Sequence, residues 1–303
     1  MKILPPLEIS GAMLISSTVP EPDASVGEVL WNAATSYTLA TRVVRSTTHR
    51  IYQNAIAGVD ATFPENAPAR WQDVGPTNRY AAFDQNRSTP CIGASPLTVV
   101  VQPNIRFDSA GIFRLVADSA TITVTSGGVN TFSETIALLT RNTTSWYTWL
   151  TGRFIQRQSV VRLALLPNTD NIITINLTKS SGMCRLGECV LGFAEYVGDA
   201  QFQARDDAIN FSKVTRGLNG ELSIEARRNV PTNKLRLITP KNIINNVREL
   251  RDLLNAKPAV FIGTEDDTGA YFEAVLKLGL ARVWGHGIDY PTHFQIDMEI
   301  EEL

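Results

Sequence analysis

The residue types able to carry out chemistry are few in this chain, and most are spaced wrongly for it. Histidine occurs only at His49, His286 and His293. No HExxH pair sets two imidazoles on one helix face for zinc, and Pro291 breaks the segment between the last two. Surface or strand-end histidines are therefore the expectation. Cys91, Cys184 and Cys189 are too few for a disulfide framework, and the last two are too widely spaced for a CxxC site, so reduced structural thiols are expected. Glycoside hydrolysis needs only two carboxylates, which Asp206-Asp207 and Glu265-Asp266-Asp267 would have to supply. Turn formers follow both runs, which reads as loop acids. Asp266-Asp267-Thr268-Gly269 lacks the remaining acids of a calcium-binding EF-hand loop. The glycine-rich patterns GxGxxG and GxxxxGK[ST] are absent, as is the GxSxG nucleophile elbow. The reading is a non-enzyme with no catalytic residue, no metal ligand set and no cofactor.

Aromatic side chains say more. Trp31, Tyr37, Tyr52 and Trp71 gather in one short stretch, and Trp146-Tyr147-Thr148-Trp149 forms a second cluster. A sugar ring stacks its C–H bonds on an exposed aromatic face, so the first four are candidate carbohydrate contacts. Their alternative role is to be the core of a module too small to build one otherwise. Trp146, Tyr147 and Trp149 divide between buried packing and a subunit interface, where such residues are enriched.

These residues need elements to position them. The 303 residues, 44% hydrophobic and 19% charged, can bury more than one core. A formal charge of -2 gives no overall electrostatic footprint for nucleic acid or an anionic surface. Residues 1–28 read as an arm punctuated by proline and small polar residues. Residues 29–76 read as a small module with strands near Thr41–Val44, Arg50–Ala55 and Arg70–Val74. Residues 77–200 show strand after strand: Leu97–Val101, Gly111–Val116, Ala120–Thr125, Val160–Leu165 and Ile172–Leu177. Several of these alternate with period two, which suits a β-sandwich. Residues 201–303 read as a small α+β domain. Thr239 is the expected N-cap and Pro240 the first residue of a helix carrying Ile243, Val247, Leu250 and Leu254 and ending near Ala256. Strands are expected at Ala259–Gly263, Ala270–Leu280 and His293–Ile300. The fold class is mainly β: a small module, a central sandwich of jelly-roll or galactose-binding-like type, and a C-terminal α+β domain. The opening Met1-Lys2-Ile3-Leu4-Pro5-Pro6 is not a signal peptide, and no apolar run of about 18 residues spans a bilayer. The expected compartment is a cytosol, where the sequons at Asn86, Asn142, Asn176 and Asn210 carry no meaning.

Two resemblances follow from these motifs. Trp31-Asn-Ala-Ala-Thr-Ser-Tyr37, Arg42-Val43-Val44, Arg50-Ile51-Tyr52-Gln53-Asn54-Ala55, the Pro64 loop and Trp71 resemble the chitin-binding type of small carbohydrate-binding module in chitinases. Leu39-Ala40 stands where that family has a glycine, and its second exposed aromatic is missing. The full order of motifs is similar to a family of tailed-bacteriophage proteins found near the tail tip or at the base of tail fibres. The matching motifs are Leu14-Ile15-Ser16-Ser17-Thr18-Val19-Pro20-Glu21, the Trp31 module, Val74-Gly75-Pro76-Thr77-Asn78-Arg79-Tyr80-Ala81-Ala82-Phe83-Asp84, Trp146-Tyr147-Thr148-Trp149 and Tyr290-Pro291-Thr292. That resemblance implies a virion structural protein of the tail tip or baseplate, assembled in the host cytoplasm, an adaptor joining tail tube or hub to fibres. Its implied partners are other tail proteins and further copies of itself, with threefold symmetry expected. The arm would cover a neighbouring subunit. The alternative is a receptor-binding, lectin-like tail protein contacting host glycan; a glycan hydrolase using Asp206 or Asp267 is a third class.

Overall fold

The computed structural model describes residues 1–303 apart from 142, 217, 218, 268, 270 and 289. The sequon at Asn142, the calcium-loop reading through Thr268 and the expected strand start at Ala270 thus fall outside the described residues. Strands dominate and helices are few, so the protein is mainly β. The chain forms two compact units, one of residues 7–190 and one of residues 1–6 with 191–303. This partition differs from the four pieces read along the sequence, because the ends of the chain pair across long separations.

In the unit of residues 7–190, five antiparallel strands form one sheet in the order Val129–Ala137, Ser119–Ser126, Ile172–Thr178, Leu97–Val101, Leu14–Ser17. Period-two alternation explains it. Leu97, Val99, Val101, Ala120, Ile122, Val124, Ile173, Ile175 and Leu177 are buried, while the intervening threonines face outward. Hydroxyl pairs bridge neighbouring strands on that outer face, Thr121 to Thr135 at 2.9 Å and Thr123 to Ser133 at 3.2 Å. A second, three-stranded sheet runs Val160–Arg162, Ser109–Phe113, Glu188–Gly192. Arg162 on its edge donates to Glu134 of the larger sheet at 2.7 Å, linking the two sheets of a sandwich-like fold. Glu188, fully buried, is paired with Arg114.

The small module is a three-stranded meander of Arg42–Arg45, Arg50–Asn54 and Trp71–Pro76. Residues 7–28 are not a free arm. Leu14–Ser17 is an edge strand on Leu97–Val101, and Asp23 and Glu28 are buried and hydrogen-bonded into the rest of the unit. A stretch rich in proline and serine reads as a linker by composition, but Asp23 and Glu28 find buried amide partners that composition cannot reveal.

The other unit is one eight-stranded antiparallel sheet. Its order is Glu195–Tyr196, Lys2–Leu4, Ala259–Ile262, Leu276–Gly287, His293–Glu302, Asn229–Pro240, Asp199–Ala200, with Arg205–Asn210 also on Asn229–Pro240. The helix Ile244–Leu253 packs Val247 and Leu250, with Leu254 just beyond it, into a core shared with Ile3, Phe261, Phe294 and Ile296. The helix starts later than its sequence signals suggest. Register with the last strand continues to Pro240 opposite His293, and Thr239 donates its hydroxyl to the Val197 carbonyl at 2.6 Å instead of capping. A 3-10 turn, Lys241–Ile243, then leads into the helix. Likewise a one-turn helix, Phe272–Val275, stands before the strand that was expected to begin at Ala270. No helix among the described residues is long and apolar enough to cross a membrane.

Candidate functional site

The four aromatics of the small module are mostly its core. Trp71 is only 2% exposed, and Tyr37 and Tyr52 6%. The Tyr37 and Trp71 rings meet edge to face at 5.3 Å, and the Trp71 indole donates to Asp60 at 3.1 Å. Trp31 is half-buried, and its ring carries the Arg45 guanidinium 5.2 Å from its centroid. Arg45 lies 4.2 Å from the Phe63 ring as well and donates twice to Glu65, at 3.1 and 2.9 Å. Those hydrogen bonds from Arg45 hold the Glu65 carboxyl below its usual range. The expected sugar platform is therefore occupied by the protein's own side chains. Tyr37, Tyr52 and Trp71 present no free face, and Trp31 presents one that an arginine already covers.

Residues with chemical potential are dispersed. Cys91, Cys184 and Cys189 are free and buried, and burial pushes the Cys91 and Cys189 thiols up to about 12, which leaves them inert as nucleophiles. His49 lies 2.9 Å from Glu21 and stacks on Tyr80. His286 packs edge-on against Phe294, and burial, then the nearby Arg251 and Arg248, lower its pKa. His293 stacks on Tyr290. Among the described residues no group of three or more His, Cys, Asp or Glu is placed to hold a metal ion. Asp206 and Asp207 lie on the strand Arg205–Asn210, not in a loop; Asp206 is paired with the buried Lys277 at 3.2 Å. Asp206 and Asp266 do line one cavity of about 610 Å³, together with Asn233, Phe202 and Tyr271. Glu265 is spent on Lys2 at 3.1 Å.

Among the described residues, two clusters of exposed apolar side chains are open to a partner. The first was not legible as a site in the sequence. Arg205–Asn210 and the start of Asn229–Pro240 form a ribbon that continues into a hairpin of Lys213–Arg216 and Leu222–Glu225. Every residue of these two hairpin strands is exposed. Register places Val214 opposite Ile224 and Arg216 opposite Leu222, so Val214, Leu222 and Ile224 share one face while Thr215 and Ser223 share the other. The signal was a four-residue alternation in each strand, too short to stand out.

The second surface is the Trp146 cluster. It lies on neither sheet, but in an excursion whose base pairs Leu139–Thr140 with Ile155–Gln156 and whose tip is the helix Trp146–Thr151. Of the two roles read from sequence, buried packing fails: Trp146 is 84% exposed, Tyr147 75% and Leu150 74%, and Trp149 is exposed with them. No protein-family model matches this chain, and no curated protein does either.

Proposed function

We propose that this protein is a structural component of a bacteriophage tail tip or baseplate, an adaptor that joins tail tube or hub to fibres by contact and not by turnover. The order of motifs along the chain suggests the family. The observation that carries the assembly role is the amphipathic hairpin of Lys213–Arg216 and Leu222–Glu225, whose Val214, Leu222 and Ile224 stay exposed among the described residues. A two-stranded hairpin is marginal alone in water, so one that buries nothing gains its stability where another surface covers it. A further copy in a closed ring, with threefold symmetry as the working expectation, or an adjoining tail protein would supply that cover. A lectin role through the small module is disfavoured, since Tyr37, Tyr52 and Trp71 are in the core and Arg45 lies over Trp31.

Sedimentation of the purified protein across concentration, paired with localisation of a C-terminal tag in virions, tests the reading. Oligomers lost in the Val214→Asp, Ile224→Asp double variant, at unchanged melting temperature, are expected together with a tag at the tail tip. A protein that stays monomeric at high concentration and is absent from the particle would overturn it.

A further inference from the structure

We propose that the excursion of residues 139–156 is a lipid-interface anchor, seating its aromatic tip in the headgroup region of an anionic bilayer. The inference is independent of the tail reading, because it rests on a different surface.

The excursion is held firmly at its base. Leu138 is fully buried, the Arg157 amide donates to the Leu138 carbonyl at 2.8 Å, and the Gln156 side chain donates to the Ala117 carbonyl at 3.0 Å. Beyond that anchorage the chain exposes Trp146, Tyr147, Trp149, Leu150, Phe154 and Ile155. Mixed Trp and Tyr with aliphatic neighbours is the composition that settles at a membrane–water boundary, where the ring is apolar and its edge polar.

Two further observations favour lipid over protein. Several polar groups of the tip bond to one another. Ser145 Oγ accepts from the Thr148 amide at 3.2 Å, Thr148 Oγ1 accepts from the Ser145 amide at 2.8 Å, and Thr151 Oγ1 donates to the Tyr147 carbonyl at 2.7 Å. The Gly152 amide donates to the Thr148 carbonyl at 2.8 Å, and Arg141 donates to the Trp149 carbonyl at 2.9 Å. Pairing of this kind lowers the cost of carrying the tip's polar groups to the acyl boundary just beneath the headgroups. Charge supplies the second argument. From Thr135 to Thr169 the sequence holds no carboxylate, while Arg141 and Arg153 stand on either shoulder of the aromatic run. Arg153 is exposed, and Arg141 lies 3.9 Å over the Phe154 ring, where its charge borders the apolar tip. An overall charge of -2 conceals this local cationic collar, which suits lipid phosphates beneath which rings insert.

The test is flotation of the full-length protein with phosphatidylcholine–phosphatidylglycerol vesicles, compared with phosphatidylcholine alone, and tryptophan quenching by brominated lipid. Preferential binding to the anionic vesicles with quenching is expected. Trp146→Ser with Trp149→Ser should weaken partitioning by at least about ten-fold, and Arg153→Glu should erase the preference for anionic lipid. Because these side chains are exposed, melting temperature serves as the folding control, and Leu150→Ser gives an independent variant. Binding unaffected by the tryptophan changes would overturn the proposal. So would failure to bind vesicles combined with self-association that the same changes abolish, which would make the tip a protein interface. The Val214→Asp, Ile224→Asp hairpin variant should leave vesicle binding unchanged, so the two proposals fail separately.

Discussion

Glu28 shows how opposing demands meet on one carboxylate. It is buried, which favours the neutral form, yet it accepts the Asp23 and Asn78 amides at 2.7 and 2.6 Å, which favours the charged one. Burial prevails, with the Asp23 and Glu21 charges adding to it, and the pKa rises above the ordinary 4.5. At Asp23, burial also pushes upward, but hydrogen bonds from Ser25 and Asn78 together outweigh it and hold the pKa below 3.8. The two therefore act on stability with opposite sign. An acid whose folded pKa is raised binds its proton more tightly when folded, so its contribution is fully present below the unfolded value and is lost as pH rises through the folded one. Asp23 contributes above its unfolded value and loses that contribution as pH falls. Urea unfolding of wild type and Glu28→Gln across pH isolates the first effect: the stability of wild type minus that of the variant should fall as pH rises above about 4.5. A difference that rises over that range would show that the hydrogen bonds, not burial, control Glu28. None of this was legible in the residues 20–28, where the prolines dominate. The same limit applies to Trp31, Tyr37, Tyr52 and Trp71, since a sequence shows where rings occur but not that Arg45 will lie on one of them.

At the scale of elements, periodicity carried most of the information. Leu97–Val101 has the bounds expected of it, and Ser119–Ser126 and Ile172–Thr178 extend their expected spans by a residue or two, because strict alternation follows directly from one wet and one dry face. The helix was legible for the same reason: Val247 and Leu250 recur on its inner face. Its start was not, because Thr239 has a long-range partner in Val197. The hairpin of Lys213–Arg216 and Leu222–Glu225 escaped altogether, since three apolar residues spread over two short strands form no run. The helix gives a sharp test of its inner face. Leu250→Ala removes a buried side chain and should cost about 2–5 kcal/mol, whereas Leu253→Ala, on the exposed side, should stay within about 0.5 kcal/mol. Chemical denaturation of the two variants measures both. Equal losses would mean that the stripe of Val247, Leu250 and Leu254 does not face the sheet.

The whole molecule departs furthest from its sequence at the start of the chain. Local pattern made residues 1–28 one arm, yet Lys2–Leu4 is an interior strand between Glu195–Tyr196 and Ala259–Ile262, with Lys2 opposite both Tyr196 and Ile262. Pairings at that separation leave no trace in local periodicity; they emerge only when a sheet completes its hydrogen bonds and a core closes over Ile3, which is fully buried. The apolar residues Ile3 and Leu4 were too short a run, followed too soon by Pro5-Pro6, to declare a strand. The consequence is testable through Ile3→Asp, which places a charge in the core shared with Phe261, Leu237 and Ile296. Each unit has its own core, so the damage should be confined. Amide hydrogen exchange is expected to lose protection across Ala259–Ile262, Leu276–Gly287 and His293–Glu302, while Leu97–Val101, Ser119–Ser126 and Ile172–Thr178 keep theirs. A free arm would give no change in either set. Loss of protection in both would mean that the two cores unfold as one, and the division into units would then describe contacts without describing cooperativity.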